Sequence, residues 1–316
     1  MKGRRGIDVL TGRVLLVGNP VSGSGAAEAW LQPIANKLRS RGASVELLRT
    51  GGPGEAREAA ARCAGDADII LVMGGDGTVR EVLNGAEPGQ CCVGVLPTGA
   101  GNVLAGELGL SGRPDSDLER LLAGRVVNFD LGVCNGERFA AVFGAGIDAE
   151  VVRRVEQKRE RHMSQLGYVP PLLRLTANLP EWNLRVSLDN GEPVDGGNVV
   201  VAGNTANYGG PVRFTPLADP RDGLFDVALT RLNSLFDLPA AALAMPLRRA
   251  HALGRMRYVR ARSLTVTSTA PVPYQLDGDF AGWLPARVRC LPGAGRLLAP
   301  PGFSAAAERR GASRRP

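Results

Sequence analysis

Three uninterrupted apolar runs constrain this chain most: "RVLLVG" (13–18), "ADIILVMG" (67–74) and "CVGVLP" (92–97). Each stops at glycine or proline, and a segment of helical periodicity follows. A strand without polar alternation must be covered on both faces, and strands separated by helices pair in parallel. "SVELLRT" (44–50) reads as a further strand. Helical segments are read at 26–42, at 54–65 and from Thr78 to Asn84-Gly85, with Pro33 expected to kink the first or delay its start. Residues 1–126 therefore predict an α/β nucleotide-binding domain on a parallel sheet.

From about residue 127 the pattern changes. "NFDLGVCNGERFAAVFGAG" and "NLRVSLDNGEPVDGGNVVVAG" read as strands joined by short turns, with Asn190-Gly191 marking a hairpin. "DGLFDVALTRL" and "RSLTVTST" continue in that style. Residues 127–290 thus predict a second domain of mainly antiparallel β structure, with part of 290–303 completing the first domain. One helix, opened by a capping box at Ser234 and Asp237, is expected to interrupt it. The tail 304–316, "SAAAERRGASRRP", lacks apolar periodicity and is expected to be disordered.

The 316 residues carry a net charge of +7, which suits an anionic partner: nucleotide, nucleic acid or acidic lipid. Aromatic residues are scarce and no recognition motif for nucleic acid occurs, so nucleic acid is the poorest of the three. The five cysteines are odd in number, lack a CxxC pair and sit mostly in apolar runs. They read as free, buried thiols of a reducing cytosol, with no zinc site or disulfide framework. No apolar run approaches the ~18–20 residues of a membrane span. Residues 153–174 join a basic stretch to Leu166, Tyr168, Leu172 and Leu173, a combination suited to docking on anionic lipid. His162 and His251, the only histidines, read as surface residues without a catalytic part.

Ligands of open parallel sheets bind beyond the C-terminal ends of the strands. Three such ends carry glycine loops: "GNPVSGSG" (18–25), "GGDGT" (74–78) and "LPTGAGN" (96–102). Exposed amides at helix N-termini are the elements of a phosphate cradle. The G-x-x-x-x-G-K-[ST] loop is absent, and "GSGAAEA" lacks the third glycine of the dinucleotide fingerprint. Asp76, set among these amides, reads as a contact to a magnesium nucleotide or to the acceptor hydroxyl, or as the N-cap of a helix at Thr78.

Together, "NPVSGSG", "GGDGTVREVLNG" and "LPTGAGNVLA" resemble the diacylglycerol kinase catalytic domain found in bacterial lipid kinases, sphingosine kinases and ceramide kinases. "GAGIDAEV" (144–151), "DPRDGLFDV" (219–227) and "QLDGDF" (275–280) continue the resemblance in order, over roughly residues 12–300. It implies an ATP-dependent lipid kinase acting on a hydroxyl of diacylglycerol or a related lipid, cytoplasmic and peripheral to the inner face of the membrane. ATP then lies between the two domains, against Asn19, Pro20, Thr50, Gly74, Gly75, Asp76, Gly77, Thr78, Val79 and Arg80, and against Thr98, Gly99 and Asn102 of the third loop. Ala100 stands where the family often has threonine. Mg²⁺ is expected on the Asp222 side chain and the carbonyls of Asp219 and Leu224, and Asp148 near the substrate headgroup. The family's Asp-Gly-Glu, with glutamate as base, is here Asp277-Gly278-Asp279, so Asp279 or Asp277 is expected to take the hydroxyl proton. Two other classes share the loop or the scaffold: a kinase of a soluble acceptor, of the NAD kinase type, and a nucleotide- or lipid-binding protein without turnover.

Overall fold

The computed structural model describes residues 12–20, 22, 25–63, 66–157, 180–208, 214–233 and 256–303. The basic segment beyond residue 157, the helix expected from Ser234, both histidines, the tail and residues 21, 23 and 24 of the first glycine loop lie outside them. The chain forms two compact units, one of residues up to Phe129 together with Gly293–Phe303, the other of Asp130–Pro292.

The first unit is a parallel sheet in the order β4 (Cys92–Pro97), β3 (Ile69–Gly74), β1 (Arg13–Gly18), β2 (Ser44–Arg49). At its other side Leu297 pairs in parallel with Val93. Alternate residues of each strand point to opposite faces. Val14, Leu16, Ile69, Leu71 and Met73 pack with Leu31, Ile34 and Leu38 of α1 (Ala26–Ser40) and with Leu118 and Leu121 of α5 (Pro114–Leu122). Leu15, Val17, Ile70 and Val72 are equally buried. Each such side chain contributes ~1.5–3 kcal/mol by leaving water, so two covered faces explain the apolar runs. β2, the edge, alternates half-buried Val45 and Leu47 with exposed Ser44 and Glu46. Pro33 lies inside α1, which begins at Ala26 without delay. Two helices escape the sequence reading: α4 (Val103–Glu107) and α5, opened by Pro114 at its first turn. α2 (Glu55–Arg62) and α3 (Asp76–Gly85) complete the unit; α3 starts two residues earlier than expected.

The second unit is a mainly antiparallel sandwich. One run of strands is β15 (Asp279–Trp283), β14 (Pro273–Leu276), β7 (Val142–Gly146), β10 (Val199–Gly203), β11 (Phe225–Thr230) and β12 (Met256–Ala261). The other includes β8 (Leu184–Leu188), β13 (Ser263–Thr267) and the first part of β16 (Ala286–Ala299). Phe139, Phe143, Val200, Phe225 and Leu276 pack with Leu184, Val186, Leu264, Val266 and Val288 in one core. On the far side Val142, Val199 and Val201 pack with Ile147 and Val151 of α6 (Ile147–Gln157). The hairpin joining β8 to β9 (Val194–Gly197) turns one residue before the expected Asn190-Gly191: Asp189 and Asn190 hold φ of 47° and 63°. Asp189 Oδ1 accepts the N–H groups of Arg262 and Ser263, which fixes that residue as the first of the turn.

Candidate active site

In the α/β unit the strand ends are locked level with one another. Asn19 N–H donates to Met73 O, Thr50 N–H to Gly18 O and Thr98 N–H to Gly74 O. The loops after β1, β2, β3 and β4 therefore share one edge of the sheet. The two glycine loops after β3 and β4 touch main chain to main chain. A Cβ on Gly99 would stand 2.5 Å from Gly75 Cα, a distance that backbone on both sides cannot relieve. Glycine here serves the approach of the loops as well as the exposure of their amides.

Asp76 is not an N-cap. The cap is Gly75, and Asp76 is the first residue of α3, with Oδ1 accepting Leu104 N–H at 3.4 Å. It thus ties the start of α3 to the start of α4, and its charge sits at the positive end of a ten-residue helix. Helix geometry leaves first-turn N–H groups without intrahelical acceptors, whereas Val79 N–H already donates to Gly75 O. Thr78 and Val79 are buried. Thr78 Oγ1 accepts Asn19 Nδ2 at 3.3 Å, so its hydroxyl braces the first loop. Thr50 Oγ1 donates to Gly18 O. Asn102 takes φ of 49° and bonds the main chain of Gly99 in both directions, closing the third loop on itself. Thr98 Oγ1 is buried without a hydrogen-bond partner among the described residues. A hydroxyl left so at a loop of this kind is one that a phosphate oxygen would satisfy on a modest loop shift.

The β unit presents carboxylates. Asp279 opens β15 directly after the turn Asp277-Gly278, whose φ values of 51° and 87° and closing pair Leu276–Asp279 make a two-residue type I′ hairpin. Asp277 does not share the proton-accepting role expected for it. It is 5% exposed, and its carboxylate accepts the N–H groups of Ala140, Ala141 and Val142 at 2.8–2.9 Å. Asn204, fully buried, grips the same segment by donating Nδ2 to Ala140 O and its N–H to Ala141 O. Asp277 is an anchor. Asp148, expected near the substrate headgroup, is half-buried in the first turn of α6. Burial pushes its carboxyl up to about 7 against the pull of Gln275, whose Nε2 donates to Oδ2 at 3.1 Å. Tyr208 donates its hydroxyl to Oδ1.

The loop 219–224 offers oxygen donors only, which suits Mg²⁺. Asp219 is buried and its Oδ1 has no hydrogen-bond partner among the described residues, with Arg221 Nε 3.7 Å away. Such an orphaned oxygen is one a cation would satisfy. Asp222 Oδ1 accepts Leu224 N–H and Oδ2 pairs with Arg260. Burial raises the Asp222 carboxyl above its ordinary range, and Arg260 pulls it back. Among the described residues no three acidic, histidine or cysteine side chains converge on a point. The donor chemistry fits the ion; its place on Asp222 is held by Arg260.

Gln275, Asn204, Tyr208 and Glu156 escape the sequence reading. The available signal for Gln275 was a polar residue inside the apolar strand "PVPYQL". Among the described residues no helix is long and apolar enough to cross a membrane.

Residues 13–134 match the diacylglycerol kinase catalytic domain, and residues 141–299 match the YegS C-terminal NAD kinase beta sandwich-like domain. A diacylglycerol kinase of Mycobacterium tuberculosis is 30% identical over 298 residues, covering 92% of this chain and 96% of that protein. One of Bacillus subtilis is 28% identical over 283 residues, covering 86% and 91%. A solved structure from Bacillus anthracis str. Sterne superposes with a TM-score of 0.76 at 20% identity, covering 96% of this chain and all of that one. At that identity the structure speaks for the fold alone.

Proposed function

The chain belongs to the diacylglycerol kinase family, and on that premise we propose that it transfers the terminal phosphoryl group of ATP to a hydroxyl of diacylglycerol or a related lipid. The observation that carries this reading is the sheet edge where the loops bearing Gly75 and Gly99 pack together, with Asp76 at the head of α3. Phosphoryl transfer asks a protein mainly for position and charge neutralisation, and main-chain amides at a helix start supply both to a triphosphate. Asp279 takes the proton of the lipid hydroxyl. The freed oxygen bonds to the γ-phosphorus, the bond to the β–γ bridging oxygen breaks, and ADP leaves. The Asp222 side chain, now paired with Arg260, and the main-chain carbonyls of Asp219 and Leu224 would hold magnesium, which would supply neutralisation of phosphate charge. Asp148 lies with the acceptor headgroup.

Action at an anionic membrane surface is supported by Trp283. It is 48% exposed on the edge strand β15, with the Arg153 guanidinium 5.6 Å from its ring centroid. An aromatic ring paired with a cation suits the headgroup boundary. Peripheral attachment to the inner, cytoplasmic face goes with that reading.

The test is transfer from γ-labelled ATP and Mg²⁺ to vesicles carrying one acceptor lipid each, with NAD offered in parallel. Label in a product with the mass of phosphorylated diacylglycerol is expected. Label in NAD alone, or ATP binding without transfer to any acceptor, overturns the proposal.

A further inference from the structure

The residues on both sides of Asp279 have their amides tied down by buried or half-buried side chains. Gly278 N–H donates to Gln275 Oε1 at 2.8 Å, and Phe280 N–H donates to Glu156 Oε1 at 2.9 Å. One step further back, Asp277 holds the turn to the amides of Ala140–Val142. Gln275 is itself fixed. It is 1% exposed, and its Nε2 donates to Asp148 while its Oε1 accepts from Gly278, so the amide has one orientation. Gln275 faces Gly144 across the β7–β14 ladder. A Cβ on Gly144 would overlap Asp148 Oδ2 and stand 2.6 Å from Gln275 Nε2, so the missing side chain is what lets those two groups meet. Asp148 and Glu156 lie on the same helix, α6. One helix thus braces both strands of the hairpin, through Gln275 on β14 and directly on β15.

An aspartate side chain has only two rotatable bonds, so its carboxylate goes where the backbone puts it. A base must come within ~2.6–3.2 Å of the proton it takes. We propose that Gln275, Asp277 and Glu156 are positioning residues that fix the backbone on either side of Asp279 and thereby place its carboxylate for proton removal. This rests on Asp279 as base of the proposed kinase reaction. Gln275 also joins that turn to Asp148, so the residue assigned to the acceptor headgroup is linked through one side chain to the main chain just before the base.

The experiment measures kcat and KM for ATP with diacylglycerol vesicles in Gln275→Leu, Asp277→Asn, Glu156→Ala and Asp279→Ala, each with and without added formate. Amide exchange at Gly278, Phe280 and Ala140–Val142 is followed in the same proteins. The clamp variants lose about 10- to 100-fold in kcat at near-constant KM for ATP, since misplacing a reacting group costs on that scale. Formate, a small stand-in carboxylate, partly restores Asp279→Ala and does nothing for Gln275→Leu or Asp277→Asn. Glu156→Gln, which keeps the acceptor oxygen, regains most of what Glu156→Ala loses. Exchange accelerates at Gly278 in Gln275→Leu and at Phe280 in Glu156→Ala. Wild-type kcat in Gln275→Leu and Asp277→Asn, or formate rescue of Asp277→Asn, overturns the proposal. The two readings fail separately. Wild-type protein that labels no lipid sinks the kinase assignment, whereas unchanged exchange at Gly278 and Phe280 sinks the clamp.

Discussion

The α/β unit and the β unit prepare polar groups for chemistry in opposite ways. Around Gly74–Asp76 and Thr98–Asn102 the first removes side chains, bringing Gly75 and Gly99 together so that main chain forms the surface. The second anchors carboxylates: buried Asp277 by the main-chain amides of Ala140–Val142, and half-buried Asp148 by the side chains of Gln275 and Tyr208. A main-chain surface grips any triphosphate through its oxygens, since every phosphate offers the same acceptors. Anchored carboxylates can single out one hydroxyl. On the proposed kinase reading, the difference amounts to a division of labour: donor binding by backbone in one unit, acceptor chemistry by side chains in the other.

Asp279→Asn breaks the second half of that comparison hardest. Loss of general-base assistance predicts a 10²- to 10⁴-fold fall in kcat, about 3–5 kcal/mol of barrier, with the fold intact by circular dichroism. Asp148 comes next. Its folded carboxyl titrates near 7, above the ~3.9 of an unfolded aspartate, so the folded state keeps a proton that the unfolded chain has lost. Stability present at low pH is therefore lost as pH rises between these values, by up to roughly 4 kcal/mol, and levels off above. Asp148→Asn flattens that fall in a series of urea titrations from pH 4 to 8; an unchanged slope contradicts the assignment. Gly99→Ala sharpens the first half. Its new Cβ meets the Gly75 main chain, predicting a stability loss of about 1–3 kcal/mol in thermal unfolding and a raised KM for ATP at little change in lipid affinity. Trp283→Ala has the smallest effect on the fold, within about 0.5 kcal/mol, yet lowers co-sedimentation with anionic vesicles several-fold.

The same contrast decides what could be read in the sequence. Strand-to-glycine transitions are local, so the loops at Gly74–Thr78 and Leu96–Asn102 and the parallel sheet were legible from apolar runs and punctuation. Bonds made across the chain were not. Asp277 to Ala140–Val142 spans over 130 residues, and nothing adjacent to Asp277 distinguishes an anchor from a base. The partners of Asp148 were equally out of reach of a local reading, because Gln275 and Tyr208 arrive from β14 and from the loop beyond β10. The alternative role of Asp76 as a cap fails on two residues of helix boundary, the least certain quantity in any reading of periodicity. Gly99 was legible as glycine and not as the partner of Gly75, since that meeting depends on the parallel order of β3 and β4.

The division of labour is tested most directly by calorimetric titration of a non-hydrolysable ATP analogue into wild-type, Gly99→Ala and Asp279→Asn proteins. Asp279→Asn should bind the analogue as wild type does while failing to phosphorylate lipid, and Gly99→Ala should bind it an order of magnitude more weakly. Equal weakening in both variants, or full affinity in Gly99→Ala, would contradict it.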